Sequence, residues 1–369
     1  MQLYPAPDLS DPLFFDKAVL EIDLGAVSSN YQKIRSHIPS SSRIAAMVKA
    51  NAYGVGVEHI VPILEKKGCD LYIVANLSEA IDVRRFTQHE ILVLSGYCPQ
   101  HDAVYQQYNL IPIINALKQV VDIKSKNIKH AWHIDTGMNR LGVSMAHWPM
   151  LLETGIVPHM ILSHMVSADD PADPINAVQK QIFRSIFEDF KRVHPHAKTT
   201  FSLGNSASIF EYPQSYYDIV RPGMALYGLN PNNTPMHPVV SLYAPILQIR
   251  DAQMGESVGY NATYRVTQPQ RLATIALGYA DGFLRSASNK AILYWQGQPC
   301  PVVGRVSMDL VTIALPSAAA ACKTGDMIEI IGAHQTIEAL ASSMNTINYE
   351  LLTGLCGGMS GRFQKNIIV

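Results

Sequence analysis

The chain has 369 residues, 48% hydrophobic and 16% charged, with 29 Lys and Arg against 30 Asp and Glu. At roughly 100–200 residues per domain that length suggests two domains, and the apolar content excludes a disordered or linker-like chain. A net charge of −1 does not announce a nucleic-acid partner, which usually needs a basic face, and five scattered cysteines (Cys69, Cys98, Cys300, Cys322, Cys356) argue against a disulfide framework or a zinc site and suit a reducing cytoplasm.

Met1–Lys17 lacks the basic start and continuous apolar run of an export signal, and no apolar run reaches the ~18 residues that span a bilayer. Leu20–Ile22 reads as a short strand that could belong to either domain. Apolar strand-like runs then recur at Arg43–Val48, Leu71–Ala75, Ile91–Leu94, Leu110–Ile114, His130–Ile134, His159–Ser163, Thr199–Leu203 and Asp218–Val220. Most are continuous, as strands buried on both faces of a parallel sheet should be. Helical periodicity separates them. Ile60, Ile63 and Leu64 precede a stop at Gly68, and Ile182, Phe183, Ile186, Phe187 and Phe190 mark a helix between Gln179 and Val193. The pattern predicts a (β/α)8 TIM-type barrel over residues 1–238, with an open doubly wound sheet as the competitor that periodicity leaves standing. The turn-rich Asn230–Pro238 reads as a linker. Beyond it, short strands at Val239–Arg250, Arg271–Ala276, Ala291–Tyr294, Pro301–Val303, Val311–Ala314 and Met327–Ile331 predict a mainly antiparallel C-terminal β domain, residues 239–369.

Barrel active sites gather at the C-terminal ends of the strands. After the first strand comes Lys49-Ala-Asn-Ala-Tyr53-Gly54. A lysine there either snorkels to solvent or sits desolvated in the mouth, where its lowered pKa suits imine chemistry or proton abstraction. Asp135 to Arg140-Leu-Gly142 follows the fifth strand, His164 the sixth, Gly204-Asn205-Ser206-Ala207 the seventh, and Arg221-Pro-Gly223-Met224 the eighth. A hydroxyl and glycine-flanked amides after the last two strands match the usual phosphate site of such barrels. Taken singly, Asn205-Ser206 is a helix cap, Gly223 a turn and His164 a core histidine. Together, a lysine, a phosphate cradle and an arginine suggest pyridoxal 5'-phosphate held as a Schiff base.

The chain resembles the alanine racemases over nearly its whole length. Lys49-Ala-Asn-Ala-Tyr-Gly is shared with other pyridoxal barrels. Val258-Gly-Tyr-Asn-Ala-Thr-Tyr264, Leu277-Gly-Tyr-Ala-Asp-Gly282 and Gly304-Arg-Val-Ser-Met-Asp309 are far more specific to that family. The resemblance implies an isomerase interconverting L- and D-alanine, with Lys49 carrying the cofactor and acting as base on D-alanine. It makes Tyr260 the base on L-alanine, Arg140 the partner of the substrate carboxylate, Met308 a pocket residue, and Tyr279 and Asp281 part of the substrate's approach. Tyr53, Ser206, Gly223 and Met224 become cofactor-phosphate residues, Asn205 a cofactor-binding residue beside them, and Arg221, supported by His164, faces the pyridine nitrogen. To act as a base a tyrosine must come down from a pKa near 10, which cations such as Arg221 and Arg140 would favour. An arginine keeps its proton, so the ring nitrogen is left unprotonated, the carbanion is short-lived and transamination is suppressed. The resemblance further implies a homodimer with shared active sites, a cytoplasmic enzyme, and D-alanine for peptidoglycan.

Three positions depart from the family pattern. Val55 stands at a usual histidine and should alter only loop packing. His133 stands where many members carry a lysine, often carbamylated, that orients the arginine. Gly361 stands where a phosphate-contacting tyrosine is common. A serine racemase, or a pyridoxal barrel decarboxylase or lyase, is the alternative activity. A pyridoxal-binding barrel without catalytic function would lack residues 239–369.

Overall fold

The structure, a computed structural model, describes residues 16–126, 128–357 and 364–368, so Gly361 and most of Met1–Lys17 lie outside the described residues. The chain divides into two compact units. One comprises Gly25–Ala52 and Gly56–His237. The other comprises the segment ending at Leu24, Tyr53–Val55, and the chain from Pro238 onward.

In the first unit seven strands lie side by side in chain order and parallel: Ala46–Met47, Leu71–Val74, Glu90–Val93, Ile111–Ile114, Ala131–Asp135, Met160–Leu162 and Thr200–Ser202. Ile219–Val220 completes the ring. It pairs in parallel with Arg43–Ile44, and on its other side Asp218 donates to the Phe201 carbonyl and Arg221 to the Gly204 carbonyl. Eight parallel strands therefore form the barrel, as the apolar runs predict. Its interior is filled by alternate residues of these strands, among them Leu71, Ile73, Leu92, Ile111, Ile113, Ala131, Met160 and Leu162, because side chains on a strand alternate between faces. The opposite faces meet the helices. Val57–Lys66 turns Ile60, Val61 and Leu64 inward, and Gly68, at φ +90°, ends the turn. Ile175–Val193 lays Phe183, Phe187 and Phe190 against Phe201, with ring centroids 6.4, 4.8 and 5.8 Å apart. Phe183, Phe190 and Phe201 are fully buried, which contributes about 1.5–3 kcal/mol each. These contacts hold the strand that leads into Asn205 and Ser206.

In the second unit the long strand Val240–Ala252 pairs antiparallel with Val19–Asp23, Met327–Ile331 and Gln270–Ala276, and the last of these pairs with Leu310–Leu315. The short N-terminal strand thus lies in this sheet, with Ile22 opposite Val240, and it also pairs in parallel with Gln364–Ile368. One predicted strand shifts. The return strand is Gln298–Pro301 rather than Pro301–Val303. Gln296 and Gly297, at φ +46° and +78°, make a two-residue hairpin after Ile292–Trp295, so pairing resumes at once. Two helices the strand pattern missed, Ile337–Ser343 and Asn348–Gly357, complete the unit.

Candidate active site

Lys49 follows the strand Ala46–Met47 and is half-buried in the barrel mouth. Burial brings its ammonium below the usual lysine value, the Arg140 charge deepens the fall, and Glu79 opposes it. The next four residues, Ala50, Asn51, Ala52 and Tyr53, have φ between +52° and +57°, a turn of left-handed helix. Each residue held so costs roughly 1–2 kcal/mol, less for asparagine, so the turn must be fixed from outside. The Val48 carbonyl accepts the Ala52 N–H at 2.9 Å. Asn51 Oδ1 accepts the Val57 N–H at 2.9 Å. One Glu79 oxygen accepts the Ala50 N–H at 2.9 Å and the other the Ala75 N–H at 2.7 Å. In the second unit, the Tyr53 ring lies 6.2 Å from that of Tyr349, and burial pushes its phenol well above the usual range. Gly54, at φ +86°, has no room for a side chain, since a Cβ would lie 2.7 Å from the Cβ of Cys356. Val55 is fully buried.

The strands Ala131–Asp135 and Ile219–Val220 lead to the other cations. Asp135 accepts the N–H groups of Gly137, Met138 and Asn139 at 2.8, 2.8 and 2.9 Å. That carboxylate ties down the loop leading to the exposed Arg140. His133 is buried, its Nδ1 3.0 Å from Asn115 Oδ1. Burial, helped by Arg221 and Arg140 and opposed by Asp135, lowers it to about 4, so it is a neutral imidazole at pH 7. Burial and the same cations also keep His164 well below its ordinary value. Gln179 fixes the chain around it, donating to the His164 carbonyl at 3.0 Å and to Thr136 Oγ1 at 3.0 Å.

Arg221 is buried, and its guanidinium donates to Ser202 Oγ and the Ser163 carbonyl. Burial lowers it to about 10, which leaves it a cation at neutral pH. Beside it, Ser206 Oγ accepts the N–H groups of Gly223 at 2.9 Å and Ala225 at 3.3 Å. This brings the predicted serine and the glycine-flanked turn together. Asn205 commits its Oδ1 to the Ser208 N–H at 3.0 Å, capping the helix Ser206–Glu211. Met224 opens the short turn Met224–Tyr227 just after Gly223. Three cations and two neutral imidazoles crowd one mouth. That suits a phosphate-bearing cofactor and an amino-acid carboxylate, whose charges would relieve the mutual repulsion. Among the described residues no cluster of metal-binding side chains occurs.

The second unit holds the remaining candidates. Tyr260 is 68% exposed on a loop between the paired strands Ser257–Val258 and Tyr264–Arg265. Tyr279 and Ala280 donate their N–H groups to the Ser307 and Met308 carbonyls, both at 3.0 Å. A Cβ on Gly278 would fall 2.1 Å from the Met308 oxygen. Tyr279 and Met308 are therefore neighbours, both with exposed side chains. Asp281 is buried and accepts the Gly278 N–H at 2.7 Å, which shapes that loop. Sequence reading missed Glu79, Asn115 and Gln179. Only Glu79 left a signal, the Asn76-x-x-Glu79 spacing of a helix start.

Residues 22–231 match the N-terminal domain of alanine racemases and residues 239–363 the C-terminal domain. An alanine racemase of Acidiphilium cryptum is 40% identical over 91% of this chain and 96% of its own length. That of Brucella abortus is 35% identical over 91% of each chain. The crystal structure of an alanine racemase from Bartonella henselae with covalently bound pyridoxal phosphate superposes with a TM-score of 0.89 at 32% identity, covering 95% of this chain and 99% of that one. The biosynthetic alanine racemase of Pseudomonas aeruginosa gives 0.86 at 29% identity, covering 96% and 99%.

Proposed function

The chain belongs to the alanine racemase family, and we propose that Lys49 and Tyr260 are the two bases of its reaction. The protein is an isomerase that interconverts L- and D-alanine, with pyridoxal phosphate as cofactor. The observation that supports the residue assignment is the desolvated Lys49, within the influence of the Arg140 charge, in the barrel mouth that also holds Arg221 and the Ser206 cradle.

Lys49 would bear the cofactor. Tyr53, Ser206 and the amides of Gly223 and Met224 would hold its phosphate, and Arg221, with His164 behind it, its ring nitrogen. When bound, pyridoxal phosphate supplies an electron sink that makes the Cα–H of alanine acidic enough to lose. Arg140 pairs with the alanine carboxylate and so fixes which faces of Cα the two bases meet. From L-alanine, the Tyr260 oxygen takes the Cα proton and the Lys49 nitrogen delivers one to the opposite face. From D-alanine the roles reverse. Neutral Lys49 is the form able to accept a proton, and its lowered pKa widens the pH range in which that form exists. Arg221 keeps its proton and cannot accept a hydrogen bond, so it would leave the ring nitrogen unprotonated. Asn205 sets the start of the helix Ser206–Glu211 that presents Ser206.

Tyr260, Met308 and Tyr279 belong to the second unit and Lys49 to the first. We infer a head-to-tail homodimer in which the β unit of one copy completes the barrel mouth of the other. The exposure of Tyr260 supports this reading. No helix among the described residues is long and apolar enough to cross a membrane. A cytoplasmic enzyme supplying D-alanine for peptidoglycan is the setting we propose. The test is direct. Cofactor-loaded protein should remove the optical activity of L-alanine, and borohydride trapping with peptide mapping should place the cofactor on Lys49. Release of carbon dioxide or aldehyde, or a label elsewhere, would overturn the reading.

A further inference from the structure

Two side chains occupy matching places in alternate strand–loop–helix units of the barrel, those of Leu71–Val74 and Ile111–Ile114. Gln119, in the first turn of Leu117–Ile123, accepts the Asn115 N–H at 2.8 Å. Glu79, in the first turn of Leu77–Arg84, accepts the Ala75 N–H at 2.7 Å. An amide is therefore enough to hold the chain entering such a helix. The carboxylate adds a second acceptor oxygen, and that oxygen takes the Ala50 N–H at 2.9 Å. A glutamine at this place would set an NH2 donor against one of the two N–H donors.

The segments reached by the two side chains also differ. Gln119 Nε2 packs against Gly96, 2.5 Å from where a Cβ would sit, and Gly96 has φ +93°. Glycine takes that conformation freely. Ala50 has φ +52° and a Cβ, and it is the first residue of the left-handed turn after Lys49. The other bonds that fix the turn act further along, on Asn51 and Ala52.

Resting on Lys49 as the cofactor-bearing base, we propose that Glu79 is a positioning residue for Lys49, whose carboxylate pins the Ala50 amide and thereby fixes the left-handed turn from which Lys49 projects. The same negative charge also raises the Lys49 pKa, against the lowering by burial and by Arg140. Glu79 touches neither substrate nor cofactor in this account.

The test uses the full-length protein and two variants. In Glu79→Gln, capture of pyridoxal phosphate by the apoprotein, followed by absorbance, should slow about 10- to 100-fold, the usual worth of a lost hydrogen bond to a charged group. In the loaded enzyme kcat should fall while KM for alanine stays within about twofold, because Arg140 is untouched. Adding Ala50→Gly should restore most of the capture rate, since glycine enters the left-handed turn without the steric cost that the carboxylate offsets. If Glu79→Gln alone does not fold, the double variant must fold and capture cofactor. Unchanged capture in Glu79→Gln, or no rescue by Ala50→Gly, would overturn the proposal. Mapping the trapped cofactor in the wild type separates the two ideas. Cofactor on a residue other than Lys49 sinks the base assignment. Cofactor on Lys49 without rescue sinks only the role of Glu79.

Discussion

His133 makes the acid side of the stability curve a sensitive probe of the barrel mouth. Its pKa falls from the 6.5 usual for histidine to about 4, first through burial and then through Arg221. Above pH 6.5 the imidazole is neutral in folded and unfolded chains alike and adds no slope. Between pH 6.5 and 4 only the unfolded chain takes up the proton, so stability falls as pH falls. Below pH 4 both states are protonated and the loss is complete. The drop is worth roughly 3 kcal/mol. His133→Gln keeps a neutral polar side chain beside Asn115 and removes the titration. Urea unfolding of the apoprotein at half-unit steps from pH 7.5 to 4 should show wild type and variant converging by about 3 kcal/mol as the pH is lowered. Parallel curves would mean that His133 titrates normally and that the mouth is far wetter than its packing implies.

Other expectations follow from single contacts. Ser206→Ala removes a hydroxyl proposed to donate to the cofactor phosphate and to order the Gly223 turn, so cofactor affinity should weaken about 10- to 100-fold in a fluorescence titration, and an unchanged affinity would remove Ser206 from the phosphate site. Gly54→Ala forces a Cβ into Cys356 at a positive φ, and thermal melting should report a loss of about 2–4 kcal/mol. Arg221→Glu places an acid at the ring nitrogen, so transamination by-product should rise relative to racemisation; the same product ratio would count against the arginine's role. Lys49→Ala and Tyr260→Phe chains, each inactive, should regain up to roughly a quarter of wild-type activity when mixed, since half the dimers carry one intact site. No recovery after proven subunit exchange would place both bases in one chain.

The barrel strands were legible because strands buried on both faces are continuous apolar runs, and Leu71–Val74 and Ile111–Ile114 are buried at every residue. The place of Leu20–Ile22 was not legible. Its partners are more than 200 residues away, at Val240–Tyr243 and Gln364–Ile368, and no local pattern encodes such a register. Lys49, Arg140, Ser206 and Arg221 could be proposed because each lies just beyond a readable strand. The left-handed turn after Lys49 could not, because alanine does not prefer that conformation and only Asn51 hints at it. Glu79 was half legible. Its spacing from Asn76 marks a helix start, but its second bond, to Ala50, depends on two strands lying side by side.

The proposed mechanism assigns two different groups to the two faces of Cα. L-alanine should be racemised in deuterated water and stopped at a few per cent conversion. Two bases predict that the D-alanine formed carries solvent deuterium at Cα while the recovered L-alanine still carries protium, because the proton removed by Tyr260 is not the one Lys49 returns. D-alanine that keeps the substrate's own hydrogen would show one base working on both faces, and would contradict the account.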